Sequence, residues 1–146
     1  MDKNNTRTFL LATLGLLLVR TVQADVTVVG ARAELSAKEP RQVEVTFELR
    51  NDTSHELELL KAVSDRAERV EFKQRSVDAE NRARVWPVAK FEVPAGGRLK
   101  LHSNGRFFLV TGLDAGVAAG QMLPITFTFE DERPLTLQLR LEAAPH

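Results

Sequence analysis

The chain has 146 residues, with 20 Lys plus Arg, 20 Asp plus Glu and a formal net charge of zero. That length suits one domain, and the neutrality argues against a general nucleic-acid binder or a strongly membrane-attracted protein. There is no cysteine, which excludes disulfides, thiolate metal sites and cysteine nucleophiles.

Residues 1–24 read as a secretory signal peptide. Lys3 and Arg7 precede the apolar run Phe9 to Val19, and Val22 and Ala24 occupy the two small positions before a cut after Ala24. The alternative is a membrane anchor, but the run is well short of the roughly 20 apolar residues of a spanning helix. Export without cysteines fits a bacterial periplasm. The expected fold is then one domain over residues 25–146.

From Asp25 onward apolar residues recur with period two. Asp25 to Val29 reads as a first strand, and Ala37 to Arg41 as a polar turn. Val43, Val45, Phe47 and Leu49 alternate with polar residues, the mark of a half-buried strand. Asn51 to Ser54 closes it as a turn. Glu56 to Val63 suits a strand or a short helix, and its strand neighbours favour strand. Arg69 to Lys73 places Val70 and Phe72 on one face. Ser76 to Arg82 reads as a polar loop. Val85 to Val88 contains Pro87, which demotes it to an edge or irregular strand. Pro94 to Gly97 and Ser103 to Gly105 are turn signals around Leu99 and Leu101. Arg106 to Leu113 is the most apolar strand, expected to be buried on both faces. Asp114 to Gly120 reads as a loop, and two alternating strands around Ile125–Phe129 and Leu135–Leu141 form the clearest hairpin. The pattern indicates an all-β, antiparallel sandwich or barrel of seven to nine strands.

Enzyme signatures are absent: there is no phosphate-binding glycine loop, no HExxH and no nucleophile elbow. His55, His102 and His146 show no ligand spacing and read as solvated surface residues. Met122 reads as core edge. The segment from Arg66 to Arg106 is net positive, which admits a docking face for an anion or acidic partner built on Lys73, Arg75, Arg84 and Arg106. The competing expectation is local pairing, with Glu71 between Arg69 and Lys73. The sequon Asn51-Asp52-Thr53 is read as chance.

Several stretches follow one another in a family order: Ser64 to Phe72, the turn at Pro87-Val88, Phe91-Glu92-Val93-Pro94-Ala95-Gly96-Gly97, Leu99-Lys100-Leu101, Gly112-Leu113, and Leu123 to Glu130. This order resembles the periplasmic copper chaperone PCu(A)C family, best from Ser64 to Leu141. The resemblance implies a cupredoxin-like Greek-key β-barrel and a copper site of histidine and methionine. It also implies where the donors should stand. Lys73 and Arg75 replace the first His and Met, Val85 stands near the Met before the proline turn, and Phe107, Leu109 and Thr111 hold the His-x-Met-x-Met positions. No donor is retained, so neither a metal ligand nor a cofactor is expected. The expectation is a non-enzymatic, exported relative with a degenerate metal site. It would act in copper handling or oxidase assembly through contacts with a periplasmic protein, without binding nucleic acid or inserting stably in a membrane. Two rival expectations remain: a copper carrier using His102, His55, His146 or Met122 across an oligomer, and the basic-face binder.

Overall fold

A computed structural model describes residues 25–39 and 41–144; the signal peptide assigned to 1–24 and His146 lie outside them. Among the described residues ten strands follow in order: β1 (Val26–Leu35), β2 (Gln42–Asn51), β3 (Leu57–Val63), β4 (Ala67–Val77), β5 (Ala83–Pro87), β6 (Phe91–Val93), β7 (Arg98–Lys100), β8 (Arg106–Leu113), β9 (Met122–Phe129) and β10 (Leu135–Glu142). The all-β class is as expected. The count exceeds seven to nine because β6 and β7 are separate three-residue strands on either side of the Pro94–Gly97 turn.

The strands run β5-β4-β8-β2-β1-β10-β9-β3-β6, with β7 also paired to β2. All pairings are antiparallel except β1 with β10, where Ala33 faces Leu141 and Glu34 faces Glu142 in parallel register. This parallel pair joins the two halves, so the sheet folds over into a sandwich rather than lying open. Inward residues of β2 (Val43, Val45, Phe47, Leu49) meet those of β9 (Leu123, Ile125, Phe127, Phe129) in one buried core. Phe108 of β8 sits at its centre. Its ring lies 4.9 Å from Phe72, 5.1 Å from Phe127, 5.2 Å from Phe91 and 5.8 Å from Phe47.

Two bulges explain where alternation in the sequence falters. Between Val29 and Arg32, β1 advances three positions while β2 advances two, from Glu48 to Thr46. Gly30 takes φ 66° there, a conformation glycine adopts without steric cost. The inward set therefore changes parity, from Val26 and Val28 before the bulge to Ala33 and Leu35 after it. The first strand is thus longer than Asp25–Val29. In β3, the step from Leu59 to Lys61 faces a single step from Phe129 to Thr128. Leu60 is pushed outward and Ala62 turns inward. This is why Glu56–Val63 has no clean period, although it is a strand.

Candidate functional site

Register decides which of the positions singled out by the resemblance come together. On β4 and β8, Lys73 faces Phe107, Glu71 faces Leu109 and Arg69 faces Thr111. On β4 and β5, Lys73 faces Pro87 and Arg75 faces Val85. Residues directly opposite share a face. Lys73, Arg75, Val85, Phe107, Leu109 and Thr111 therefore lie on one outer face of the β5-β4-β8 sheet, turned away from the Phe108 core. Glu44 of β2 joins this face opposite Leu109.

Phe107 closes the middle of the face. It is 1% exposed although it is not part of the main core. The Arg75 guanidinium covers it, with its carbon 4.6 Å from the ring centroid. That guanidinium is held in turn: Nη2 donates to Glu44 Oε2 at 2.9 Å and Nη1 to Glu44 Oε1 at 3.3 Å. Nη1 also donates to the Ser103 carbonyl. The fork of arginine matches a carboxylate bidentately, and its flat face stacks on an aromatic ring. Lys73 lies 3.7 Å from Glu71, and Arg69 is 4.0 Å from the same carboxylate. The local pairing expected of Glu71 is thus present. Thr111 Oγ1 is buried without a hydrogen-bond partner among the described residues.

These residues do not fit a copper ion. Cu(I) takes thioether, thiolate or imidazole donors. Protonated Lys73 and Arg75 offer no lone pair and repel a cation, while Val85, Phe107 and Leu109 offer no donor atom. Thr111 contributes one hydroxyl, a hard donor.

The four basic residues grouped from the sequence separate across the sheet. Arg84 faces Ser76, Trp86 faces Gln74, and Gln74 faces Arg106, so Arg84 and Arg106 lie on the opposite face from Lys73 and Arg75. Arg106 stands 6.0 Å from the Phe91 ring centroid. Among the described residues neither Arg84 nor Arg106 has a carboxylate partner, unlike Lys73 and Arg75. His55 is in the β2–β3 turn, 3.7 Å from Glu132. His102 is exposed in the turn leading to β8, against Gly105. Met122 is exposed at the start of β9 rather than at the core edge, because it falls on that strand's outward parity.

Two features were not signalled as special in the sequence. Asn51 is fully buried. Its Nδ2 donates to the carbonyls of His55, Val93 and Pro94 at 2.9, 3.1 and 3.0 Å. Its Oδ1 accepts from Thr53 N and Thr53 Oγ1 at 2.9 and 2.6 Å. The amide of the sequon thus knots the β2–β3 turn to the β6–β7 turn, and has no room for a glycan. Glu56, Glu58 and Glu92 bring carboxylate oxygens within 4.8 Å of one another. Lys90 Nζ already serves them, 2.8 Å from Glu58 and 3.6 Å from Glu92. Its bond lowers the Glu58 pKa and raises that of Lys90.

Solved structures share this fold. A copper-bound PCuAC domain from PmoF2 superposes with a TM-score of 0.66 at 13% identity, covering 83% of this chain and 95% of that one. An apo PCuAC domain from PmoF1 gives 0.68 at 11%, covering 83% and 96%. Apo-DR1885 from Deinococcus radiodurans gives 0.58 at 20%, covering 99% and 93%. No curated protein sequence matches the chain. The family model "Putative lipoprotein LpqE-like" matches residues 19–141. With most of its length matched, the chain belongs to the LpqE-like family.

Proposed function

We propose that the protein is an exported, non-enzymatic relative of PCuAC domains with a degenerate metal site. On this reading it serves copper handling or oxidase assembly through protein contacts. One observation carries the reading: Phe107, at a position where the resemblance expects a donor, is sealed under Arg75, which Glu44 holds bidentately. Opening that position to a metal would break a stacked contact and a half-buried ion pair, and would still yield no soft donor.

The rival carrier built on His55 and Met122 would need a second copy of the chain. His55 lies at one end of the sandwich beside Glu132, just beyond β9, while Met122 opens β9 at the other. With a rise of about 3.3 Å per residue, that strand alone holds them roughly 23 Å apart. They could share an ion only between molecules.

Titration of the purified protein with Cu(I) and Cu(II) against a competing chelator tests the proposal. The expected result is no stoichiometric binding. Tight one-to-one binding overturns it, and loss of that binding in His102→Ala would locate the rival site. Export through residues 1–24 belongs to the same proposal, and predicts that the protein recovered outside the cytoplasm starts at Asp25. The sequence holds no cysteine, so a lipid joined through a cysteine sulfur has no acceptor within these residues, despite the family's description. Among the described residues no helix is long and apolar enough to cross a membrane.

A further inference from the structure

Among the described residues β5 ends the strand order and pairs only with β4, so its outer edge has no strand against it. All five of its residues are exposed. Two bonds bracket the hairpin: Val88 N donates to the Phe72 carbonyl and Asp78 N to the Arg82 carbonyl, each at 3.0 Å. In an antiparallel ladder the residues that exchange such bonds alternate. Arg84 and Trp86 therefore turn their backbone groups toward β4, while Ala83, Val85 and Pro87 turn theirs outward. The edge thus presents the N–H groups of Ala83 and Val85 and the carbonyls of Ala83, Val85 and Pro87. An open edge of this kind is a template for another strand.

Side chains select the strand. On one face of the hairpin, Trp86 is 41% exposed. Arg84 precedes it by two positions, and Arg106 lies in the same cross-strand row through Gln74. Arg84 and Arg106 lack carboxylate partners among the described residues, whereas other cations of the hairpin have them: Arg69 and Lys73 at Glu71, Arg75 at Glu44, Arg82 at Asp78 and Glu80. Among the described residues, the hairpin cation without a carboxylate partner, Arg84, and the exposed indole thus share one face beside the free edge. We propose that this edge accepts an extended, acidic segment of a partner protein, which adds to β5 as a strand and sets carboxylates against Arg84 with Trp86 as the apolar platform. Arg106 sits two strands further in, about 10 Å from Trp86 at about 4.8 Å per strand, and adds attraction through its field. Charge argues against a second copy as the occupant, because β5 paired with itself would bring two Arg84 guanidinium groups onto one face, where the carboxylate of Asp78 is already held by Arg82. The proposal goes beyond the copper-handling reading and does not rest on it.

The probe is a fluorescein-labelled peptide of alternating Glu and Thr, with an alternating Lys and Thr peptide as control, followed by anisotropy and by the fluorescence of the single tryptophan. The Glu–Thr peptide is expected to bind at least ten-fold more tightly than the control and to perturb Trp86. Arg84→Glu should weaken it about ten-fold, Arg106→Glu less, and Lys73→Glu under two-fold. The Glu–Thr peptide N-methylated at alternate residues, which cannot complete the ladder, should lose binding without any change to the protein. Equal binding of the control, or undiminished binding of the N-methylated peptide, overturns the proposal. So does a dimer in sedimentation that Val85→Pro converts to monomer, since the edge would then be occupied by a second copy.

Discussion

Replacing Arg75 by alanine tests whether the outer face of β4 and β8 is held as one unit. Three contributions are lost. The first is the stack on Phe107, worth about 1 kcal/mol for a partly desolvated cation over a ring. The second is the bidentate pair with Glu44. The two side chains are 21% and 29% exposed, so the pair falls between an exposed one, worth under about 1 kcal/mol, and a buried one whose breakage costs about 3–5; about 1–2 kcal/mol is reasonable. The third is the re-exposure of Phe107. Uncovering part of a side chain whose full burial is worth about 1.5–3 kcal/mol costs about 1 kcal/mol. The sum is about 3–4 kcal/mol, read as a fall in the urea midpoint at constant slope. Arg75→Lys keeps the charge but not the fork, and should cost about half as much. A double-mutant cycle with Glu44→Gln should return a coupling of about 1–2 kcal/mol. A loss under about 1 kcal/mol for Arg75→Ala, with coupling near zero, would mean that the arginine merely lies on the surface, and would remove the main support for a sealed site.

Phe108→Ala deletes the ring at the centre of the aromatic cluster and should cost about 4 kcal/mol in chemical denaturation. Asn51→Ala leaves buried carbonyls of Val93 and Pro94 without their donor and should cost about 2–3 kcal/mol; Asn51→Asp should not rescue it, since a carboxylate cannot donate. Gly112 has φ 68°, and a Cβ there would lie 2.6 Å from the Glu68 side chain, so Gly112→Ala should cost about 1–2 kcal/mol. For pH, Lys90 lowers the Glu58 pKa, Arg50 lowers that of Glu48, and backbone donation from Arg82 lowers that of Asp78. A carboxyl whose folded pKa is depressed adds stability present above its unfolded value and lost as the pH falls through the folded one. The urea midpoint should therefore drop as pH is lowered below about 4. Glu130 acts in the opposite sense, because its neighbour Glu58 raises its pKa and its contribution is lost as pH rises. Glu130→Gln should thus steepen the acid loss.

The parts of the fold legible in the sequence are those with clean parity. β2, β9 and β10 alternate without interruption, and both their existence and their facing are as the pattern implies. β1 and β3 escape the pattern because a bulge in each shifts the inward set by one residue, and a fixed period cannot follow the shift. The burial of β8 on both faces was legible as a continuous apolar run, but what covers its second face was not. That cover comes from Arg75 and Glu44, charged residues on two different strands, and pattern reading assigns such residues to solvent. The basic segment shows the same limit. Lys73 and Arg84 are close in sequence and alike in chemistry, yet strand parity sends them to opposite faces, where among the described residues one meets a carboxylate and the other does not.

On the proposed reading, that split bears on how the outer face is built. A surface that merely tolerates substitution would be expected to collect exposed polar residues, since these are cheap to place. The β8 positions instead hold Phe107 at full burial and Leu109 half-buried, and their cover is an arginine bound at both ends of its fork. If soft donors once stood there, as proposed, their removal would leave apolar walls without a central partner, and closely packed structures do not sustain such a gap. An aromatic ring with a guanidinium laid across it fills that volume, and the facing carboxylate neutralises the charge the filling introduces. On the proposed reading, Phe107, Arg75 and Glu44 are thus a substitution of one organising centre by another. The β4–β8 register is kept by packing and ion pairing, and the face most available to a partner moves to the opposite side of the hairpin, where Trp86, Arg84 and the open edge of β5 lie together.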